Sequence, residues 1–412
     1  MRPESPQERS ASLQSAVPSP RYFADPYPYF AQMRDVSPVF WSENLNAWLV
    51  TDYEVASKGL RDQRFSSNRK QNFYENLSAP EKEELKPLKD FFDLWLMFID
   101  PPYHDKLKTL FAKPFSPKSM QQFSESIEKS AESILVDETS ENIEFLDDFA
   151  IPYSVDVVSK ILGVEASDYM GLVHSTEQLL DFLGGSQADI EKGRDALSSY
   201  EEVSTYLRKV ASEKRRNPQD DIISSGVSFV DAGKITETEL LAIVANLLVD
   251  GHEPIAHTLS NGILALAQNQ GQYKRLQVQP QLIVPATEEI LRFNPFFQYS
   301  ARRATEEIDL AGTTVREYDR IMFMLGGANR DPSAFPQPDD FIVDRSSNKH
   351  LSFGQGSHYC LGAALGRLAT RHALSTIVET RANLQLNTQE LEWKPSVGYR
   401  GLTALPIKWN TV

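Results

Sequence analysis

The spacing of apolar residues divides the chain into three textures. In the first third, short apolar runs such as "PVFW" and "AWLVTD" suit strands and alternate with helical stretches. From about Ser116 to Gln279 the pattern is mostly helical, with polar breaks such as "RRNPQDD". After Arg292, extended runs ("IDLAGTTV", "RIMFML") and turn residues precede a last helix from about Leu361 to Thr380. Strands at both ends around a helical middle predict one interwoven domain, mainly α with small β-sheets, over residues 21–412. Residues 1–20 are polar and proline-rich and lack the apolar segment of a secretory signal, so they read as a disordered lead-in and the compartment as cytoplasmic.

The strongest helical signal is "TETELLAIVANLLVDGHEPIAHTLSNGILALAQNQG". Thr236 and Glu239 stand in the spacing of a capping box, and Gly271 suits a stop. A run of roughly 33 residues would be about 50 Å long at 1.5 Å per residue. Its first half is largely apolar all round, which predicts a buried helix crossing the whole molecule. Pro254 interrupts it beside Asp250, His252 and Glu253. A proline there lacks the N–H that would bond to the Asp250 carbonyl, at a usual cost of about 3 kcal/mol.

Composition narrows the function classes. No apolar stretch approaches the roughly 20 residues needed to span a bilayer. A net charge of −15 argues against nucleic acid as a partner. The single cysteine, Cys360, excludes an intrachain disulfide and a cysteine-rich metal site. Its surroundings, "FGQGSHYCLGAALGR", set it among Gly354, Gly356 and Gly362 just before a helix. Glycines permit close backbone approach, and a helix N-terminus favours a thiolate. Such a loop would present an ionised sulfur to something flat and bulky.

This segment resembles the cysteine loop of the haem-thiolate monooxygenases, the cytochrome P450 family: Phe353, Gly356, Cys360 and Gly362 match its Phe-x-x-Gly-x-x-x-Cys-x-Gly pattern. In the same order along the chain, "EEILR" (Glu289, Arg292) resembles the family's Glu-x-x-Arg pair. "NRDPSAFPQPDDFIVDR" resembles its meander, with Arg345 completing a Glu–Arg–Arg cluster. "FIDPPYHDKLKTL" resembles the entry to its propionate-binding helix. The resemblance runs from about Tyr22 to Ile407 and implies the P450 fold, with a long central distal helix and a cysteine-ligand loop.

It also implies roles. Cys360 would be the axial ligand of haem b iron, held in a loop with Phe353, Gly354 and Gly362. His358, Arg302, His104 and Lys108 would meet the haem propionates; at Lys108 the family more often has arginine, whose planar fork lysine lacks. On the distal helix the family carries Gly-x-(Asp/Glu)-Thr. Gly251, His252 and Glu253 fit, but Pro254 replaces the threonine, whose hydroxyl opens a helix groove and helps deliver protons for O–O cleavage. Proline can reproduce the groove by freeing the Asp250 carbonyl, but it supplies no hydroxyl. Asp250, Glu253 acting through water, or a donor on the substrate are the substitutes, and His252 is expected to make a structural contact.

The implied activity is a monooxygenase placing one oxygen from O2 into a small organic molecule of natural-product biosynthesis, free or carrier-protein-bound. Electrons would come from NAD(P)H through a separate ferredoxin-type donor docking near Lys106, Lys113, Arg367 and Arg371 of a monomer. Without the threonine, peroxide-driven oxidation, desaturation, oxidative coupling or rearrangement is the alternative. A third reading is a non-catalytic haem sensor or carrier. Residues 85–98, 174–186, 240–250, 296–300 and 399–403 would line the substrate pocket, with Phe91, Phe92, Trp95, Phe182, Phe296, Phe297 and Tyr299 making it largely apolar.

Overall fold

The computed structural model describes residues 6–68, 77–137, 140–184, 190–388 and 390–411. One helix, Glu237–Gln268, runs through the middle. Its start is the expected capping box: the Glu239 carboxylate accepts from the Thr236 amide at 2.5 Å, and the Thr236 hydroxyl accepts from the Glu239 amide at 3.2 Å. Its end differs from expectation. Asn269 is the C-cap, and Gly271 lies inside a second helix, Gln270–Val278. Pro254 does not break the helix, which continues for a further 14 residues to Gln268.

Around this axis pack the helices Ile151–Leu162, Ala166–Gly184, Ile190–Arg216, Ile222–Asp231, Ile283–Phe293 and Ala363–Thr380. Leu240, Ile243, Val244, Leu248, Val249 and Leu259 are buried in the shared core. Each such side chain contributes about 1.5–3 kcal/mol by leaving water. The crossing with Ile151–Leu162 is close because Gly251 has no side chain. A Cβ at Gly251 would lie 2.9 Å from Val158.

Three of the expected strands join two others in a five-stranded sheet, in the order Val39–Ser42, Ala47–Val50, Arg320–Phe323, Ser300–Ala304 and Phe65–Ser66, the last two not having been expected. Residues from both ends of the chain therefore share one sheet; Trp48 lies opposite Ile321, and Ile321 opposite Arg302. A second sheet orders Asn142–Glu144, Pro406–Thr411 and Arg381–Leu386, and Ile308–Leu310 pairs with Thr313–Val315. Among the described residues no helix is long and apolar enough to cross a membrane.

The lead-in is a correction. Residues 1–5 lie outside the described set, but Pro6–Ala16 is a helix packed on the helix Tyr27–Val36. Leu13 and Val17 are buried with Phe30, Met33 and Phe40, and the Gln14 side chain donates to the Trp41 carbonyl at 2.7 Å. Two apolar residues one turn apart are a weak signal by themselves. The partner surface makes them a docked helix.

Candidate active site

Cys360 ends a tight loop. Gly354 and Gly356 adopt φ values of +67° and +72°, which other residues rarely take. A Cβ at Gly356 would also lie 2.8 Å from the Leu60 carbonyl oxygen, so this position is closed to side chains twice over. The Cys360 amide donates to the Phe353 carbonyl at 2.9 Å, and Gly362 caps the following helix, Ala363–Thr380. Lys108 reaches across from the helix Tyr103–Ala112 and donates to the carbonyls of Ser357 and Tyr359. Its ammonium thus clamps the cysteine loop as well as lining the cavity below, a role the sequence did not suggest.

The loop is braced from behind. Arg367 donates to Glu288 at 2.7 and 3.0 Å and to the Tyr359 hydroxyl at 3.0 Å, and lies 4.5 Å over the Phe353 ring. Burial alone would raise the Glu288 carboxyl, but His350 and Arg367 outweigh it and bring its pKa down to about 2. Deeper still, Glu289 accepts from Arg292 at 2.8 Å twice and from Arg345 at 3.0 and 3.1 Å. The Ile342 amide and the Asn348 side chain also donate to it, at 2.9 and 3.1 Å. Glu289 and Arg292 are fully buried, and this is the Glu–Arg–Arg cluster read from the sequence. A buried carboxylate satisfied this completely is stable only as a set.

The sulfur opens onto a cavity of about 1120 Å³. Its surface is therefore accessible, yet the site is deep. Burial pushes the thiol up to about 11, outweighing the Gly362 amide that favours the thiolate. Coordination to a metal would favour the thiolate that the loop was expected to present.

His104, Lys108, Arg302 and His358 all line this cavity, as do Phe353, Gly354 and Gly362. The rings of His104 and His358 lie 4.1 Å apart, and the Asp105 carboxylate sits 2.9 Å from His104 Nδ1. Burial lowers the pKa of His104, and Asp105 partly opposes the shift. Arg302 is braced toward the cavity by the Ala301 carbonyl at 2.7 Å and the Ser300 hydroxyl at 2.8 Å. A sulfur, the basic side chains of Lys108 and Arg302, two histidines and broad apolar walls fit the haem that the resemblance implies.

The central helix forms the opposite wall. Asn246, Asp250, Pro254 and Thr258 line the cavity at four-residue spacing, flanked by Leu247, Gly251 and Ile255. Asn246 Nδ2 donates to Asp250 Oδ2 at 2.5 Å. Asp250, Gly251 and Pro254 are thus where the sequence predicted. Asn246 and Thr258 were not singled out, although their spacing from Pro254, two turns before and one turn after, could have found them.

Glu253 belongs to another face of the helix. It lies off the cavity, buried on the flank of the helix, in the field of Lys394, Glu177 and Asp181. Burial raises its carboxyl to about 7. Burial alone would lower the Lys394 ammonium, but Glu253, Glu177 and Asp181 raise it, and Lys394 lies 3.6 Å from Glu177. The lysine thus stays charged beside these acids. His252 behaves as expected: its Nδ1 lies 3.0 Å from the Tyr169 hydroxyl, and burial lowers its pKa to about 4. His257 stacks on Phe296 with centroids 5.2 Å apart.

Of the expected pocket aromatics, Phe92, Phe182, Phe296, Phe297 and Tyr299 line the cavity. Phe92 and Phe182 stack with centroids 5.9 Å apart. Phe91 and Trp95 pack in the core behind them. Residues 185 and 186 of the expected lining lie outside the described set.

Comparison with known proteins agrees with this geometry. The family description "Cytochrome P450" matches residues 49–396. The chain is 31% identical to a biotin biosynthesis cytochrome P450 of Bacillus subtilis (strain 168), over 97% of this chain and 100% of that one. It is 30% identical to the polyketide biosynthesis cytochrome P450 PksS of the same organism, over 93% and 95%. A crystal structure of P450BioI in complex with hexadec-9Z-enoic acid ligated acyl carrier protein superposes with a TM-score of 0.88 at 30% identity, over 95% and 100% of the two chains. With its cysteine loop, its Glu–Arg–Arg cluster and these relatives over nearly its full length, the chain belongs to the cytochrome P450 family of monooxygenases.

Proposed function

We propose that this enzyme inserts one oxygen atom from O2 into a small organic substrate of cytoplasmic natural-product biosynthesis, with electrons from NAD(P)H through a separate ferredoxin-type donor. The observation that carries the reading is the Cys360 sulfur opening onto a large, mostly apolar cavity walled by the central helix. Bound at Cys360, haem supplies the redox and oxygen chemistry, and its thiolate ligation favours O–O cleavage.

The chain's own residues position and enclose. His104, Arg302, His358 and Lys108 would hold the haem carboxylates, and the Arg367–Glu288 brace keeps the loop in register. Phe92, Phe182, Phe296 and Phe297 exclude water around an apolar substrate body. At Pro254 no hydroxyl is available, so the polar groups on that wall are the Asn246 amide, the Thr258 hydroxyl and the Asp250 carboxylate, which accepts. For the electron donor, Lys106 and Lys113 remain exposed, while Arg367 is committed to Glu288. The likeness to a P450 solved with an acyl carrier protein supports a carrier-attached substrate as well as a free one.

Pro254 on the cavity wall favours a second reading, in which the reaction is desaturation, coupling or rearrangement. Comparative mass analysis of metabolites with and without the gene separates the two. A precursor one oxygen lighter than the lost product is the expected result. A precursor two hydrogens heavier, or of equal mass, would overturn oxygen insertion in favour of the second reading.

A further inference from the structure

The sheet side of the cavity carries hydrogen-bond donors that the haem does not use. In the five-stranded sheet Arg302 lies opposite Ile321, and the next pair along, Arg303 opposite Arg320, falls on the other face. Arg320 therefore stands apart from the basic groups assigned to the haem carboxylates, yet it lines the cavity, as do Tyr299 and Asn46. One of its N–H groups donates to the Leu45 carbonyl at 3.3 Å, in the turn that also carries Asn46. Among the described residues its other donors have no partner, and no carboxylate pairs with it. The neighbouring acid, Asp319, is committed elsewhere: its Oδ2 accepts from Trp48 Nε1 and from the Arg316 amide, both at 2.9 Å. The Tyr299 hydroxyl and the Asn46 side-chain amide likewise have no hydrogen-bond partner among the described residues. Burial lowers the pKa of Arg320; Tyr299 opposes the shift, and Arg303 across the strand pair adds to it. A partly buried guanidinium without a counter-charge is most stable once an anion reaches it, and its planar fork fits two oxygens of a carboxylate or phosphate.

We propose that Arg320, with the Tyr299 hydroxyl and the Asn46 amide, binds a terminal oxyanion of the substrate while the apolar body of the substrate lies in the cavity beside Phe296 and Phe297. The proposal rests on the monooxygenase reading and adds the substrate class, an apolar chain with one anionic end. Two sources share that chemistry: the carboxylate of a free acid and the phosphodiester in the arm of a carrier protein. A neutral analogue gains only the apolar contacts, and a cationic one meets like charge.

The test uses the haem-loaded enzyme and three probes with one alkyl chain. Dodecanoate carries a carboxylate, methyl dodecyl phosphate a monoanionic phosphodiester, and dodecanamide no charge. Dissociation constants are read by calorimetric titration, after each preparation is checked for the carbon monoxide absorption of thiolate-bound haem. The tighter-binding anion is expected to exceed the amide by at least about tenfold, a difference of about 1.4 kcal/mol. Preference for dodecanoate supports the site with a free acid as its source, and preference for the phosphodiester supports it with a carrier arm. Arg320→Gln should bring anion and amide within about twofold by weakening the anion alone, as loss of a charge-assisted pair requires. Tyr299→Phe and Arg320→Lys, which remove one donor or the planar fork, should each narrow the preference by about threefold.

Equal binding of all three probes to the unmodified enzyme would overturn the proposal whatever the variants do. So would a preference that survives Arg320→Gln, because the anion would then be held elsewhere. Should Arg320→Gln fail to take up haem, Tyr299→Phe and Arg320→Lys decide in its place, and an unchanged preference in both would overturn the site. A preparation of the unmodified enzyme lacking the thiolate-haem absorption would count against the monooxygenase reading itself, and so is distinguishable from failure of the oxyanion site.

Discussion

The two walls of the cavity are built on different principles. On the cysteine side, polar groups are tied into closed sets: Glu289 with Arg292 and Arg345, Glu288 with Arg367 and His350, and Lys108 with two loop carbonyls. On the opposite side a single helix carries two polar faces. One, with Asn246, Asp250 and Thr258, meets the cavity; the other, with His252, Glu253 and His257, is buried against Tyr169 and the Lys394 neighbourhood. The closed sets hold a sulfur in place and tolerate little change. The open face carries Pro254, where the resemblance led us to expect threonine, and an acid one turn before it.

The sharpest way to break the first wall is Glu289→Ala. Two buried guanidinium groups would lose their carboxylate, and breaking a buried pair costs about 3–5 kcal/mol. A loss of unfolding free energy in urea below about a third of that would mean the arginines are held by the surrounding carbonyls alone. Asn329, Pro338 and Asp340 already accept from Arg292 through their backbone oxygens.

Next in size is the buried face of the helix, read through pH. Glu253 has its carboxyl raised from 4.5 to about 7, so folding favours its protonated form. Its contribution is fully present below pH 4.5, falls as pH rises toward 7 and is flat above. The shift corresponds to about 3 kcal/mol. Glu253→Gln should therefore remove that slope and be the more stable protein at pH 8. The histidine has the opposite sign: burial lowers His252 from 6.5 to about 4, so its contribution is present above pH 6.5 and lost as pH falls toward 4. Parallel stability curves for Glu253→Gln and the unmodified protein between pH 4.5 and 7 would show that Lys394 keeps the carboxylate charged throughout.

Smaller again is Gly251→Ala, at the seam where the open face passes Val158. The added methyl meets Val158 at 2.9 Å, and overpacking of this kind costs about 1–3 kcal/mol. Thermal melting reads the loss. Recovery in the double variant with Val158→Ala would locate it at that contact.

The two walls also differ in how far the sequence disclosed them. The cysteine loop and the Glu–Arg–Arg cluster depend on particular residues at short fixed spacings, so Phe353, Gly356, Cys360, Glu289 and Arg292 were legible before any geometry. The Lys108 clamp on the loop carbonyls was less so, because it joins residues some 250 positions apart. On the helix, Asp250 and Pro254 line the cavity, whereas Glu253 lies on another face. At 100° per residue its side chain turns away from the Asp250–Pro254 stripe toward Lys394, a partner 141 positions along the chain. Asn246 and Thr258 became visible only once the cavity fixed which stripe mattered. The N-terminal helix was missed for a related reason: Leu13 and Val17 define a face only against Phe30 and Phe40.

The most direct test of this account concerns the open face, and it uses the precursor identified by metabolite comparison. Product formed per NAD(P)H consumed is measured for the unmodified enzyme, Asp250→Asn and Pro254→Thr, each reconstituted with a ferredoxin and its reductase. If the polar function of that wall resides at Asp250, Asp250→Asn loses at least about tenfold in coupling, a change of about 1.4 kcal/mol, while Pro254→Thr stays close to the unmodified enzyme. A large gain in coupling for Pro254→Thr, with Asp250→Asn unchanged, would contradict it.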